Sequence, residues 1–358
     1  MAERGVSHLV IFGGFRGSTE VPWVTGWHVT REAVALITPG EPIELLVQFY
    51  NHVPNARLMA SGSTVAWGGP DTFATVASAL ERRGASHSGV GWIGPLPHRA
   101  FERLQPVCGR LVDCSGEYIR LRMIKSEEEI EWIRRGVEMT DASLSALMDA
   151  LEPGATETHL SAAVEESYLA SGGTNHIHFF AATPMNEPAR CVPAQWPSNR
   201  PVRVGDVLLT ELSTSYWGYP GQILRSITIG ADPTPLYQQL HDIAEAAFTA
   251  LASLVRHGLH VSELVSAADL IGDAGFTIYD DLVHGFGGGY LPPIIGDNSR
   301  PNEPVPDIRL EQGMTIVIQP NVIAPDELAG VQTGEMILVT SQGHERLHTA
   351  PRGFLRKA

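Results

Sequence analysis

The stretch Gly205–Arg225, GDVLLTELSTSYWGYPGQILR, constrains this chain more than any other. An apolar run, VLLTEL, leads to a turn around Trp217–Gly218, and QILRSITIG then runs back, which predicts a β-hairpin. Glu211 and Gln222 sit near the two ends of that hairpin, eleven residues apart. Two oxygen-bearing side chains placed this way can share one cation or one organic group. Only Glu211 can carry a charge.

The rest of the chain must build a body around this pair. Its 358 residues give core volume for one large or two ordinary domains. A hydrophobic content of 43% and a charged content of 18% describe a soluble globular protein. A formal net charge of −15, with no Lys/Arg block, argues against nucleic acid or an acidic membrane as partner. It leaves the charge of a substrate open, because a local pocket can differ from the whole. No apolar run approaches ~18 residues, so no membrane span is expected. The start, MAERGVSHLVIFGG, lacks the charged leader and cleavage pattern of a signal peptide. Cys108, Cys114 and Cys191 are odd in number and lack metal-ligand spacing, which suits a reducing cytoplasm, the expected location. Cys191 reads as an ordinary thiol rather than a nucleophile.

Residues 1–118 alternate strand-like segments (LVIF, VALIT, IELLVQF, GVGWIG) with helix-like ones (DTFATVASALERRG, PHRAFERL), the pattern of a small α/β domain. Gly13, Gly14 and Gly17 follow the first strand, but GGFRGST lacks both the dinucleotide fingerprint and the phosphate-loop lysine. A boundary falls near Gly116–Met123. The helix after it opens with a capping box, SEEE from Ser126, and carries Ile130, Ile133, Val137, Leu144, Leu147 and Leu151 at helical spacing until Pro153–Gly154 stops it. Further helices are predicted over 156–171, 235–256 and 262–272. The glycine-rich HGFGGGYLPP and two strands, MTIVIQPNVI and EMILVT, complete residues 119–358.

Polar side chains gather at strand ends in this second part: Glu211 and Gln222 on the hairpin, His284 before the glycines, Gln319 in IQP, and Glu335 in GEMILVT. With their flanks (RLRMIKSEEEIEWIRRG, NRPVRVGDVLL, WGYPGQILRS, HGFGGG, LEQGMTIVIQP and GEMILVTSQGHERL) they resemble the creatinase/aminopeptidase P/prolidase superfamily. The likeness covers residues 119–358 and is weaker over 1–118. It implies an α+β architecture, a C-terminal pita-bread domain preceded by a smaller α/β creatinase-type N-terminal domain. It also implies a homodimer in which the partner's N-terminal domain closes the site.

The metallopeptidases of that superfamily hold two divalent metals with two aspartates, a histidine and two glutamates, anionic oxygens that balance the cations and activate a bridging water. Laid on this chain, those positions fall on Glu211, Gln222, Gly288, Gln319 and Gly334, the last beside Glu335. The resemblance therefore implies no metal and no other cofactor. The metal-free creatinase branch does not transfer whole either. Its general-base histidine aligns with Ala194, its catalytic glutamate with Leu224, and another of its glutamates with Gln319.

Glu211 and His284 are the expected acid–base pair. The alternatives are an ion pair between Glu211 and Arg225, and a structural histidine bonding a carbonyl. Gln222 and Gln319 are expected as substrate-binding amides, with His178, Trp196, Tyr219, Gly288 and Glu335 as further contacts. His176 and His178 stand at strand spacing in NHIHFF, and an inward-facing histidine is expected from this stretch. Three functions fit: a metal-independent enzyme acting on a small polar nitrogen-containing molecule by C–N hydrolysis, elimination, cyclisation or isomerisation; an inactive relative binding a ligand or protein; and an Xaa-Pro-type peptidase with a remodelled metal site.

Overall fold

The computed structural model describes residues 1–14, 18–300 and 304–358. The chain divides into two compact units, Met1–Leu121 and Arg122–Ala358.

In the first unit the strands are β1 (Val6–Gly14), β2 (Glu32–Ile37), β3 (Ile43–Val47), β4 (Ser63–Trp67), β5 (Gly89–Ile93) and β6 (Arg110–Asp113). They form one sheet in the order β4-β3-β2-β1-β5-β6, antiparallel at β1–β2 and β2–β3 and parallel elsewhere. The helices are α1 (Glu20–Thr25), α2 (Val53–Met59), α3 (Thr72–Arg82), α4 (His98–Leu104) and α5 (Ser115–Met123), the last crossing the division. Alternate residues serve opposite faces, as the two-residue strand period requires. Val10, Phe12, Val34 and Leu36 pack on Phe73, Val76 and Leu80 of α3, while Ile11, Ala33 and Ala35 join Val53 and Ala56 of α2. Gly13 and Gly14 are ordinary members of β1, paired with Ala33 and Glu32. Gly17 of the glycine-rich GGFRGST segment lies outside the described residues.

The second unit opens with α6 (Glu127–Ala150), whose capping box forms as expected: Ser126 accepts from the Glu129 backbone, and Glu129 accepts from the Ser126 backbone. Then come α7 (Glu157–Leu169), β7 (Gly173–Pro184), β8 (Asp206–Tyr216), β9 (Tyr219–Pro220), β10 (Ile223–Ile229) and α8 (Pro235–Leu254). The helix expected over 262–272 is two short ones, α9 (Ser262–Ala267) and α10 (Asp269–Asp273). The remaining strands are β11 (Thr277–Ile278), β12 (Val283–Phe286), β13 (Tyr290–Ile295), β14 (Thr315–Ile318), β15 (Val322–Ile323), β16 (Gly334–Val339), β17 (His344–Arg346) and β18 (Leu355–Lys357). The main sheet runs β13-β12-β14-β16-β10-β8-β7. Leu208, Leu212, Ile223 and Ile227 pack on α6 and α7 through Leu144, Leu147, Leu160 and Val164. Val207, Leu209, Ile316 and Ile337 pack on Leu240, Ala244 and Leu251 of α8. Neighbouring residues of one strand thus feed two helical layers.

The hairpin forms where expected. Tyr216 pairs with Tyr219 across the two-residue turn of Trp217 (φ 51) and Gly218 (φ 86), both in the left-handed region that such turns require. Its second arm lies directly on α6. A Cβ on Gly136 would stand 2.3 Å from the Tyr219 carbonyl oxygen, and one on Gly221 would stand 2.6 Å from Val137 Cα. Two glycines therefore let helix and hairpin backbones touch immediately before Gln222. Thr140 Oγ1 receives the Thr214 amide at 3.0 Å, and Ser143 bonds the Thr214 hydroxyl at 2.9 Å, fixing the register of the contact. Gly136→Ala must push the two apart. We expect a loss of about 1–3 kcal/mol, the usual effect of overpacking, read as a lowered urea midpoint; an unchanged midpoint would refute the close contact.

Candidate functional site

Glu211 comes from β8, Gln222 from the residue before β10, His284 from β12, and Gln319 from the residue after β14. All four are buried. Gln222 Nε2 donates to Glu211 Oε1 at 2.6 Å. Burial, followed by the charges of Asp280 and Asp281, pushes the Glu211 carboxyl up to about 8, and the Gln222 bond offsets only part of this. Glu211 is therefore a neutral acid at pH 7.

His284 shows the opposite displacement. Burial pushes its imidazole down to about 4, against the pull of the Gly285 carbonyl, Asp280 and the Gln319 amide. Its Nδ1 faces the Gly285 carbonyl at 3.2 Å. A carbonyl only accepts, so Nδ1 carries the proton and Nε2 keeps a basic lone pair. The ring stacks on Tyr290, with centroids 4.3 Å apart and planes at 23°, and meets Phe286 edge-on at 5.2 Å. Gln319 donates from Nε2 to the backbone carbonyl of Asp281 at 3.2 Å. Tyr290 donates its hydroxyl to Asp281 Oδ1 at 2.5 Å. Desolvation and then Asp281 hold the Asp280 carboxyl above the usual carboxylate range.

Three acceptor oxygens in this cluster are buried without a hydrogen-bond partner: Gln222 Oε1, Gln319 Oε1 and Asp281 Oδ2. Buried acceptors left unpaired are costly, by roughly 1–3 kcal/mol each, and a water, an ion or a ligand donor would satisfy them. Asp280, Asp281 and Tyr290 were not among the residues singled out from sequence. Their only signal is the acidic pair and the tyrosine bracketing the strand in YDDLVHGFGGGY.

The other expected contacts lie elsewhere. His178 is buried, its Nε2 bonded to the Tyr168 hydroxyl of α7 at 2.9 Å, while its neighbour His176 is exposed and edge-on to Phe286. Trp196 is 85% exposed. Tyr219 donates to Glu129 of α6 at 2.9 Å and packs against Trp132. Gly288 sits in the left-handed region (φ 75), a Cβ there would require Arg122 Nη2, 1.8 Å away, to move, and its carbonyl accepts from that guanidinium at 2.8 Å. The imidazole beside Gln319 is His284, four residues before Gly288.

Glu335 is held by arginines. Arg225 reaches Oε2 at 2.8 Å, Arg346 reaches Oε1 at 2.6 Å, and Arg352 lies 3.7 Å away. Burial acts to raise this carboxyl, but Arg346, Arg225 and Arg352 outweigh it and hold the group below its ordinary value. Arg225 also donates to the carbonyls of Leu224, Gly334 and Pro351. The partner of Arg225 is thus Glu335 and not Glu211, which corrects the ion pair weighed from sequence. Gly334 cannot carry a larger residue, because a Cβ there would stand 2.4 Å from the Ile318 carbonyl oxygen.

Residues 131–341 match the model of metallopeptidase family M24. An uncharacterized peptidase of Staphylococcus aureus (strain MW2) is 28% identical over 229 residues, 64% of this chain. The match covers 63% of that relative, so the chain spans less than two thirds of its length. Among solved structures, a prolidase from Pyrococcus horikoshii OT3 superposes with a TM-score of 0.85 at 22% identity, covering 99% of this chain and 97% of that one. The prolidase from Pyrococcus furiosus gives 0.82 at 21%, covering 98% and 99%. An X-Pro aminopeptidase from Thermotoga maritima MSB8 gives 0.83 at 19%, covering 99% and 97%. The fold is the expected one, a pita-bread α+β domain behind a smaller N-terminal α/β domain. No helix among the described residues is long and apolar enough to cross a membrane.

The raised Glu211 carboxyl has a consequence for stability. Its value moves from 4.5 to about 8 on folding. Above 4.5 the unfolded chain releases a proton that the folded protein keeps, so stability is lost as pH rises, and the loss is complete above about 8. Glu211→Gln abolishes this term while leaving Asp280, Asp281, His284 and Tyr290 around it. Relative to wild type, the variant should gain at least ~1 kcal/mol between pH 4.5 and pH 9, measured by denaturant unfolding. A constant difference across that range would contradict the assignment.

Proposed function

The chain belongs to metallopeptidase family M24, and from that premise we propose that it performs metal-independent acid–base chemistry on a small, polar, nitrogen-containing molecule. The donor set carries this reading. A dinuclear centre needs several anionic oxygens to balance two divalent cations. Here Gln222 and Gln319 carry no charge, Gly288 and Gly334 offer no side chain, and the Glu335 carboxylate is taken up by Arg225 and Arg346, so Glu211 is the one carboxyl left at the aligned positions. Among the described residues, no group of three or more His, Cys, Asp or Glu is arranged to hold a metal ion. These residues do not fit two metals, and the proposed chemistry runs through side chains alone.

Glu211 and His284 have had their proton affinities pushed apart, the carboxyl above 7 and the imidazole below it. A neutral carboxyl donates a proton to a leaving or developing anionic atom, and the neutral imidazole takes one through Nε2. A proton then passes back from imidazolium to carboxylate and restores the pair. Hydrolysis or elimination at a C–N bond uses such a pair, and so does cyclisation or isomerisation. The unpaired amide oxygens of Gln222 and Gln319 orient the substrate. The competing reading is Xaa-Pro peptide cleavage, drawn from the prolidases of similar fold. It would need two metals, for which the aligned positions supply a single pocket carboxyl group, Glu211.

The test is turnover of pooled small nitrogenous metabolites by chelator-treated protein, followed by mass spectrometry. We expect a compound to be consumed without added metal, and both Glu211→Gln and His284→Ala to slow it by on the order of a hundredfold or more. Turnover of Xaa-Pro dipeptides that appears only with added divalent metal would refute the proposal. Specific binding without turnover would instead make the protein a ligand-binding relative.

A further inference from the structure

Asp281 holds the four-residue pocket together from its edge and keeps one oxygen free. Its backbone carbonyl accepts Gln319 Nε2 at 3.2 Å, and its Oδ1 accepts the Tyr290 hydroxyl at 2.5 Å. Tyr290 lies face to face with His284 at 4.3 Å, and the Gln319 side chain favours protonation of His284 through a hydrogen bond. Contacts thus close a ring through Asp281, Gln319, His284 and Tyr290. The remaining oxygen, Asp281 Oδ2, is buried and accepts no hydrogen bond in this geometry, while the Asp280 carboxyl, when protonated, hydrogen-bonds the Asp281 side chain.

Two further acceptors share its condition. Gln319 must turn Nε2 toward the Asp281 carbonyl, which only accepts, so its Oε1 is left unbonded. Gln222 uses Nε2 on Glu211, and its Oε1 is likewise unbonded. These glutamines are 1% and 2% exposed, so bulk water does not satisfy them. The pocket therefore presents three unpaired acceptors, and the charges acting on Glu211 from Asp280 and Asp281 are negative.

We propose that Asp281 Oδ2 accepts an N–H of the bound molecule, with the Gln222 and Gln319 carbonyls taking neighbouring N–H groups, so that the pocket selects a small organic cation rich in N–H donors, of the amidinium or primary-ammonium kind. This rests on the reading of the site as an organic pocket. It adds a residue that lies outside every position the resemblance assigns to metal, and replacing Asp281 therefore probes anchoring separately from metal binding. A cation lacking N–H would gain the charge attraction but leave all three oxygens unpaired.

The test is a titration of isotope-labelled histidine in the intact protein, observed by NMR, with acetamidinium, methylammonium, tetramethylammonium and acetate. Saturable shifts of the His284 resonance are expected with acetamidinium or methylammonium, and none with tetramethylammonium or acetate. Asp281→Asn should weaken that binding about tenfold or more, as expected for loss of a charged acceptor, with an unchanged thermal melt. Tyr290→Phe keeps the ring stack and Oδ2, and should bind within about threefold of wild type. Equal binding by Asp281→Asn, equal response to tetramethylammonium, or no shift with any cation overturns Asp281 as the anchor. Displacement of acetamidinium by equimolar manganese or zinc would overturn the organic pocket itself, so the two failures can be told apart.

Discussion

Burial of the Glu211 carboxyl beside an amide, in the field of Asp280 and Asp281, sets the terms for the second unit's pocket. A buried carboxylate must be paired, or it must take up a proton. The same sheet shows both outcomes. Glu335 meets Arg225 and Arg346 and stays ionised; Glu211 meets Gln222 and is protonated. The first joins β10 and β16 to the C-terminal segment through Arg225, Arg346 and the Pro351 carbonyl. The second has no cationic partner, and the difference lies in which side chains stand within hydrogen-bond reach.

The pocket's geometry is built mostly from backbone proximity. Gly136 and Gly221 bring α6 against the hairpin and so place Gln222 opposite Glu211. Gly334 lets β16 close on Ile318 and Gln319. The glycines after His284 fold β12 onto β13, and the pairing of Phe286 with Tyr290 brings the tyrosine ring over the imidazole. Arg122 clamps that turn through the Gly288 carbonyl. At Gly136, Gly221, Gly285 and Gly334 a Cβ would stand against a neighbouring backbone, so these glycines position the site by close approach.

What could be read from sequence follows from how local the cause was. The capping box at Ser126 and the turn at Trp217–Gly218 are local, and both formed as read. Glu211 and Gln222 followed from the hairpin, because their spacing fixes which strand positions meet. In the glycine-rich hairpin the family's metal-ligand histidine position falls on Gly288, and the imidazole in the site comes from His284, four residues before it, where the strand pairing shifts register. Glu335 was read as a pocket residue because nothing local reveals that Arg225 and two arginines of the C-terminal segment converge on it. Asp281 and Tyr290 were missed for the same reason: their partnership arises only when β12 and β13 pair.

The central claim is that the positions which hold two metals in related peptidases hold an organic group here. Native mass spectrometry tests it most directly, on protein purified without chelator from cells supplied with manganese, cobalt, iron and zinc. The account predicts subunits at the mass of the polypeptide, alone or with a small organic adduct. Two metal ions per subunit would contradict it.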